Sequence, residues 1–199
     1  MIEITKITDV KKYLDDIEAV IFDLDDTLFP EKEYVKSGYK QIAEYFGDPL
    51  LADKLWQVFE RGGRSIDEVI PPDKKAEALK VYRNQIPDIH FFAGASDMLC
   101  ELEKIKKIGI ITDGRPEGQR AKIKVLGLDR FEIIITDELG GPEFRKPCEA
   151  AFRLMQEKIQ VPFEKMVYIG DNPNKDFIAP EKLGMKYIYF NNSDGLYSR

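Results

Sequence analysis

The stretch AVIFDLDDTLF, at residues 19–29, decides the fold and the chemistry of this chain. Residues 19–22 are apolar and partly β-branched, a composition typical of a strand buried in a parallel sheet. The run ends abruptly in Asp23, Asp25 and Asp26. Open parallel sheets carry their chemistry at the carboxyl ends of the strands. Because three clustered carboxylates repel one another unless a cation lies among them, the stretch indicates a metal-assisted site with one carboxylate as the nucleophile.

Length, composition and charge narrow the class of protein. The chain has 199 residues, 43% of them hydrophobic, which suffices for one large domain or a domain with an insertion. Its net charge of −6 argues against a nucleic-acid partner. Cys100 and Cys148 belong to no motif, which favours a reduced, cytoplasmic protein. No apolar run approaches the ~18 residues that span a bilayer, and residues 1–16 lack the apolar core of a signal peptide, so we expect no membrane partner.

From residue 93 onward, strand patterns alternate with helix patterns. This order predicts a mainly parallel sheet with right-handed crossovers, which is a doubly wound, Rossmann-like α/β fold. Residues 19–22 and four later strands give a predicted sheet of five strands. We assign residues 1–29 and 93–199 to this core. The other predicted strands are 108–112, 132–136, 166–170 and 186–190. The predicted helices of the core are 9–16, 96–107, 117–126, one that opens at Pro147, and 174–183.

Residues 30–92 differ from the rest of the chain in the spacing of their apolar residues. They contain no strand-like run, and their apolar residues recur at helical spacing. A connection of this length is too long for an ordinary crossover between neighbouring strands, since such connections are short. We therefore interpret residues 30–92 as a small helical bundle inserted into the core as a cap domain. Hinges are expected near residues 29–32 and 89–94.

Three of the predicted strands end in polar residues that suit one site. In a doubly wound sheet such strand ends lie side by side, so we expect these residues to converge. A basic residue that precedes a proline at a helix start completes the set. The residues are Asp23-Leu24-Asp25 after the first strand, Thr112-Asp113-Gly114 after the second, Gly170-Asp171 with Asp176 after the fourth, and Lys146-Pro147.

This ordered set resembles the haloacid dehalogenase-like hydrolases, in particular their phosphatase branch with a helical cap after the first motif. The resemblance covers nearly the whole chain. It implies that Asp23 attacks phosphorus and forms an aspartyl phosphate. It also implies that Asp25 protonates the leaving oxygen and then activates water. The implied cofactor is Mg²⁺, held by Asp23, the main-chain carbonyl of Asp25 and Asp171, with Asp176 in support either directly or through water.

The resemblance assigns the remaining motif residues to the phosphoryl group. Thr112 would bind a phosphoryl oxygen, together with the amides of Asp113 and Gly114. Lys146 would neutralise charge on Asp23 and on the transferring group. The carboxylate of Asp113 is expected to contribute less than its amide.

The predicted activity is Mg²⁺-dependent hydrolysis of a small phosphorylated metabolite, of the sugar phosphate or nucleoside monophosphate type. Asp25 argues against a dehalogenase, because a halide leaving group needs no proton. Two alternatives stay open: a phosphomutase of the same family, and a non-catalytic domain that binds phosphate or docks a partner. In the cap, Arg64 follows a Gly-Gly pair and is the predicted substrate contact. The pattern does not decide between a monomer and a homodimer.

Overall fold

The computed structural model describes residues 1–196 and contains a six-stranded sheet with helices on both faces. All strand pairings are parallel, in the order β1-β6-β5-β2-β3-β4. The predicted α/β class is confirmed, but the prediction of five strands is wrong by one. The strands are β1 (Ile2–Ile4), β2 (Ala19–Phe22), β3 (Lys107–Thr112), β4 (Glu132–Ile135), β5 (Met166–Gly170) and β6 (Lys186–Phe190).

The strand that the sequence did not reveal is β1, at one edge of the sheet. It has three residues, and only Ile4 is buried, so it is too short to show the two-residue period of a half-buried strand. It exists because it pairs with β6, with Ile2 opposite Ile188. Just beyond β6, the N–H of Asn191 donates to the carbonyl of Ile4 over 2.8 Å. The pairing joins opposite ends of the chain, which local sequence cannot report.

The central strand β2 contributes to two apolar layers. Val20 and Phe22 face one layer, and Ala19 and Ile21 face the other. Both layers are covered by helices, which explains why all four residues are buried and apolar. The first layer packs against the 3₁₀ helix Ile7–Tyr13, α5 (Ala95–Leu102) and α6 (Pro116–Val125), and the second against α7 (Ala150–Ile159) and α8 (Ile178–Leu183).

Four helices differ from the prediction by more than one residue, and one of them is α5, which ends at Leu102 and not at residue 107. The N-terminal helix is a 3₁₀ helix over Ile7–Tyr13, and α7 begins at Ala150, not at Pro147. The helix predicted at 174–183 begins only at Ile178, so Pro180 lies in its first turn, where no intrahelical N–H bond is lost. Asp176 therefore lies in the turn before the helix.

Residues 31–83, here called the helical segment, form four helices with an apolar cluster of their own. The helices are α1 (Glu31–Phe46), α2 (Leu51–Glu60), α3 (Ser65–Val69) and α4 (Lys75–Arg83). Their amphipathic faces enclose Val35, Ile42, Leu51, Leu55, Ile70 and Ala78. This matches the predicted helical bundle. Its role as a cap domain stays a prediction.

Helices α1 and α4 approach closely because of a glycine. A Cβ atom at Gly38 would lie 2.4 Å from the ring of Tyr82 on α4. Glycine costs helix stability in the middle of α1, and here it makes room for the ring. Tyr82 also packs edge-on against Tyr34, with ring centroids 5.7 Å apart. Among the described residues, no helix is long and apolar enough to cross a membrane.

Candidate active site

The order of the sheet brings the predicted strand ends together. Strand β2 lies between β5 and β3, with Phe22 opposite both Ile169 and Ile110. The next residue, Asp23, donates its N–H to the carbonyl of Ile169 over 2.8 Å. Since β3 ends at Thr112 and β5 ends at Gly170, the residues that follow all three strands meet at one edge of the sheet.

Lys146 lies at the centre of this cluster. Its Nζ is 2.8 Å from Oδ1 of Asp23, 2.9 Å from Oδ1 of Asp176 and 2.9 Å from the hydroxyl of Tyr168. The side chain is fully buried. Burial lowers the pKa of Lys146, but attraction to Asp176 and Asp23 outweighs it and raises the pKa well above its usual value. The ammonium group therefore stays charged.

Three buried carboxylates crowd this lysine. One oxygen from each of Asp23, Asp171 and Asp176 lies within 4.8 Å of the others. Burial, followed by repulsion from Asp23 and Asp176, raises the pKa of Asp171 to about 9. Burial likewise raises the pKa of Asp23 to about 6, although Lys146 opposes the shift. Lys146 and the nearby Lys175, which also pairs with Asp113, do not offset all of these carboxylates. An all-oxygen donor set with excess negative charge fits a hard divalent cation such as Mg²⁺.

Asp176 is held from two sides. One oxygen pairs with Lys146, and Oδ2 accepts the N–H of Asn172 over 2.9 Å. A Cβ atom at position 170 would lie 2.5 Å from that same oxygen, so Gly170 permits the approach. These contacts place Asp176 inside the carboxylate cluster, where it both anchors the turn after β5 and contributes an oxygen.

Asp25 lies on the other side of the site and contacts helix α6. Its Oδ1 is 2.7 Å from Nζ of Lys122, and its Oδ2 accepts the amide N–H of Gln119 over 2.8 Å. The same amide nitrogen is within hydrogen-bond distance of the buried hydroxyl of Thr112 and of the carbonyl oxygen of Asp113, the latter at 2.9 Å, so its two protons are shared among three acceptors. Sequence reasoning missed Lys122 and Gln119.

A signal for these two residues is present in the sequence. Gln119, Lys122, Ile123 and Leu126 follow the i, i+3, i+4, i+7 spacing of one helix face. Both polar residues therefore share the buried face of α6 with apolar ones. A polar residue on such a face has a partner in the interior, but the pattern does not identify the partner.

The carboxylate of Asp113 does more than the sequence suggested. Its Oδ1 accepts the hydroxyl of Thr136 over 3.1 Å and the backbone N–H of Lys146 over 3.0 Å. Its Oδ2 pairs with Lys175 over 2.9 Å. Burial raises the pKa of Asp113, but Lys146 and Lys175 outweigh it and lower the pKa. The side chain thus joins three loops, while its amide remains a predicted phosphoryl contact.

Two adjoining cavities open from these residues. The first, of about 310 Å³, is lined by Asp23, Asp25, Lys146 and Asp171. The second, of about 530 Å³, shares Asp25 with it and extends to the helical segment. The wall of the second cavity includes Tyr34, Tyr39, Arg64, Tyr82, Arg83 and Arg115. The first has room for a phosphoryl group and the second for the rest of a small molecule, and the predicted substrate contact Arg64 lies on the second.

The sequence model of the haloacid dehalogenase-like hydrolase family matches residues 20–190, which is most of the chain. The chain therefore belongs to this family. A protein of the superfamily from Bacillus subtilis, solved with bound magnesium, has the same fold, with a TM-score of 0.65 and 21% identity. The alignment covers 88% of this chain and 87% of that one.

Two named phosphatases are similar to the chain over most of its length. Glyceraldehyde 3-phosphate phosphatase of Pyrococcus furiosus is 28% identical over 196 residues, covering 87% of this chain and 80% of that protein. Ribulose-1,5-bisphosphate 5-phosphatase of Halopiger xanaduensis is 23% identical over 206 residues, covering 88% and 85%. The prediction of a phosphatase of the haloacid dehalogenase-like type is confirmed.

Proposed function

We propose that this protein is a Mg²⁺-dependent phosphatase of a small phosphorylated sugar, and that it works through an aspartyl phosphate on Asp23. The observation that carries the proposal is the buried contact of 2.8 Å between Asp23 and Lys146, beside Asp171 and Asp176 and open to a cavity. The sugar phosphate class is supported by the names of the two relatives, which act on glyceraldehyde 3-phosphate and ribulose 1,5-bisphosphate.

In the first step, an oxygen of Asp23 attacks phosphorus in line with the leaving oxygen. The bond between phosphorus and that oxygen breaks, and Asp25 gives the oxygen its proton, so the sugar leaves as an alcohol. In the second step, Asp25 takes a proton from water, which attacks the phosphorus of the aspartyl phosphate. Inorganic phosphate departs and the carboxylate of Asp23 is restored. The proton that Asp25 takes from water replaces the one that it gave to the leaving oxygen.

Other residues of the site bind and neutralise the phosphoryl group. The hydroxyl of Thr112 and the amides of Asp113 and Gly114 would donate hydrogen bonds to its oxygens, where charge develops. Lys146 neutralises Asp23 and so lets an anionic group approach. Asp23, Asp171, Asp176 and the main-chain carbonyl of Asp25 would hold Mg²⁺, which when bound supplies further neutralisation of these oxygens.

The helical segment would act as the cap over this site. It supplies part of the lining of the second cavity, and Asp25 lines the same cavity. A sugar in that cavity would lie against Arg64 and the tyrosines Tyr34, Tyr39 and Tyr82. Movement at residues 29–32 and 89–94 would admit the substrate, and closure would exclude bulk water from the reacting atoms. Cavities of this size suit small phosphorylated compounds better than phosphoproteins.

The test is phosphate release from a panel of phosphomonoesters, with Mg²⁺ or with EDTA. The panel contains glyceraldehyde 3-phosphate, ribulose 1,5-bisphosphate, hexose phosphates and nucleoside monophosphates. We expect Mg²⁺-dependent release that Asp23→Asn reduces by at least about 10³-fold, since the nucleophile is lost. Asp15→Asn changes an exposed carboxylate and is the matched control. Acid-quenched wild type should carry radiolabelled phosphate from its substrate, and Asp23→Asn should not.

Two results would contradict the proposal. Formation of a phosphate isomer without release of phosphate would identify a mutase. Binding of Mg²⁺ and phosphate without turnover of any ester would identify a binding domain.

A further inference from the structure

We infer that Lys122 and Gln119 are positioning residues that hold the carboxylate of Asp25 for proton exchange with the leaving oxygen. The inference rests on the proposed function, in which Asp25 is the acid and base. It adds helix α6 to the reaction, although none of the predicted site residues lies on that helix.

The contacts involve both oxygens of the carboxylate. Lys122 Nζ lies 2.7 Å from Oδ1, and the amide nitrogen of Gln119 lies 2.8 Å from Oδ2. The two donors are three residues apart on α6 and so lie on one face of it. One donor on each oxygen stops the carboxylate from rotating about its last side-chain bond. Each oxygen keeps a second lone pair for a proton.

Burial of the charged Lys122 side chain costs desolvation free energy, and we attribute its presence here to its contact with Asp25. Its side chain is only 6% exposed, and within residues 1–196 its one ion pair is with Asp25. A buried ion pair is often no more stabilising than apolar residues of similar volume, so stability alone does not account for the lysine. Burial lowers the pKa of Lys122, but attraction to Asp25 and Glu31 outweighs it and raises the pKa, so the group is charged.

The surroundings of Lys122 fix its direction. Its Nζ lies 4.1 Å from the centre of the Tyr34 ring and 5.8 Å from that of Phe29. Tyr34 belongs to α1, so the side chain of Lys122 extends from α6 to the helical segment. A Cβ atom at Gly118 would lie 3.0 Å from the Tyr34 hydroxyl, which shows how closely α1 and α6 meet. This packing holds the ammonium group on Asp25.

Gln119 connects the acid to the phosphoryl side of the site. The amide group that donates to Asp25 also lies against the hydroxyl of Thr112 and the carbonyl of Asp113. Thr112 is a predicted phosphoryl ligand. One side chain therefore sets the distance between the proton donor and a phosphoryl anchor. Such spacing matters because general acid catalysis requires the acid within hydrogen-bond reach of the leaving oxygen.

The test compares a sugar phosphate with 4-nitrophenyl phosphate in Lys122→Met. The sugar phosphate is the panel member that the wild type hydrolyses fastest. 4-Nitrophenolate leaves without a proton, and kcat/KM reports only the steps up to departure of the leaving group. We expect kcat/KM to fall about 100-fold for the sugar phosphate and less than about 5-fold for 4-nitrophenyl phosphate. Lys124→Met, an exposed lysine on the same helix, is the control and should change neither.

A double mutant separates positioning from a merely structural role. In an Asp25→Asn background, Lys122→Met should reduce kcat/KM for the sugar phosphate by less than about 3-fold, because the residue acts through Asp25. If a thermal melt shows that Lys122→Met does not fold, Gln119→Leu replaces it. That variant keeps the ion pair of Asp25, and we expect about a 10-fold loss with the same dependence on the leaving group.

Three results would overturn the role of Lys122 and Gln119. They are an equal loss of kcat/KM for both esters, additive losses in the double mutant, and no loss in either single variant. The proposed function would still stand if the wild type hydrolyses sugar phosphates and Asp23→Asn does not. A wild type that hydrolyses none of the esters would refute the proposed function itself, and the positioning role with it.

Discussion

The residues at the carboxyl ends of β2, β3 and β5, here called the strand-end site, and the helical segment border the same cavities but are built in opposite ways. At the strand ends, charged side chains are buried and paired, as Lys146 is with Asp23 and Asp176. On the cavity wall of the helical segment, Arg64 and Arg83 are exposed, and their guanidinium groups have no hydrogen bond or ion pair to residues 1–196.

We interpret the buried, paired charges as the groups that carry out the reaction and the exposed arginines as groups that select the substrate. Attack on phosphorus needs charges held in place by rigid strands and shielded from water, where each interaction is strong. Selection of a leaving group needs side chains that meet the substrate when it arrives. We therefore expect substitutions at the strand ends to affect stability, metal binding and rate, and substitutions in the helical segment to affect mainly KM.

The largest effect on stability is expected from Lys146→Met. Its loss leaves three buried carboxylates without their cation, and breaking a buried pair in this way costs about 3–5 kcal/mol. Urea unfolding in EDTA measures the change. Lys158→Met, which removes an exposed pair with Glu132, should cost no more than about 1 kcal/mol. Similar values for the two variants would contradict the view that the strand-end charges are structurally coupled.

Removal of Mg²⁺ gives the next largest effect. If the cluster binds the ion in the folded state only, a concentration about 100 times Kd stabilises the wild type by about 2.7 kcal/mol. Asp171→Asn should lose most of this gain, as measured by thermal melts with Mg²⁺ and with EDTA. Asp67→Asn, on the helical segment, should keep it. An unchanged gain in Asp171→Asn would exclude this carboxylate as a ligand.

A smaller effect is expected from Arg64→Ala. Loss of one substrate contact worth about 1 kcal/mol raises KM about 5-fold and leaves kcat nearly unchanged, because the contact is made equally before and during reaction. Steady-state kinetics with the preferred sugar phosphate measures this. Lys54→Ala, also in the helical segment but off the cavity wall, should have no effect. A fall in kcat alone would mean that Arg64 belongs with the chemistry.

A pH dependence of stability is expected at the boundary between the two regions. Burial, and then repulsion from Asp25, raises the pKa of Glu31 from 4.5 to about 8. The folded state therefore binds this proton more tightly than the unfolded chain, so the contribution of Glu31 to stability is lost as pH rises between these values. Glu31→Gln should gain stability relative to the wild type from about pH 5 to about pH 8.5.

Urea unfolding at both pH values checks the Glu31 prediction. Glu44→Gln, an exposed position on the same helix, should track the wild type. A constant difference between Glu31→Gln and the wild type would contradict the buried, protonated state of Glu31.

The central part of the fold was predictable from local pattern. Strand β2 matches its predicted bounds, because a strand buried on both faces must be continuously apolar. The meeting of Asp23, Thr112 and Asp171 was predictable too, because parallel strands present their carboxyl ends at one edge. Edge strand β1 was not predictable, since its three residues are too few to show a period. The late start of α8 was not predictable either, because the turn before it is held by the contact of Asp176 with Asn172.

By itself the sequence determined the class of fold, the order of the motifs and the residue types available for chemistry, because apolar periodicity and strand-end carboxylates are local properties. Only the tertiary structure decided which charges pair. Lys122 is separated by almost a hundred positions from Asp25, yet their side chains meet at 2.7 Å because α6 and β2 contribute to the same apolar layer of the core. Such pairing depends on burial and distance in space, and neither is encoded in any single stretch of the chain.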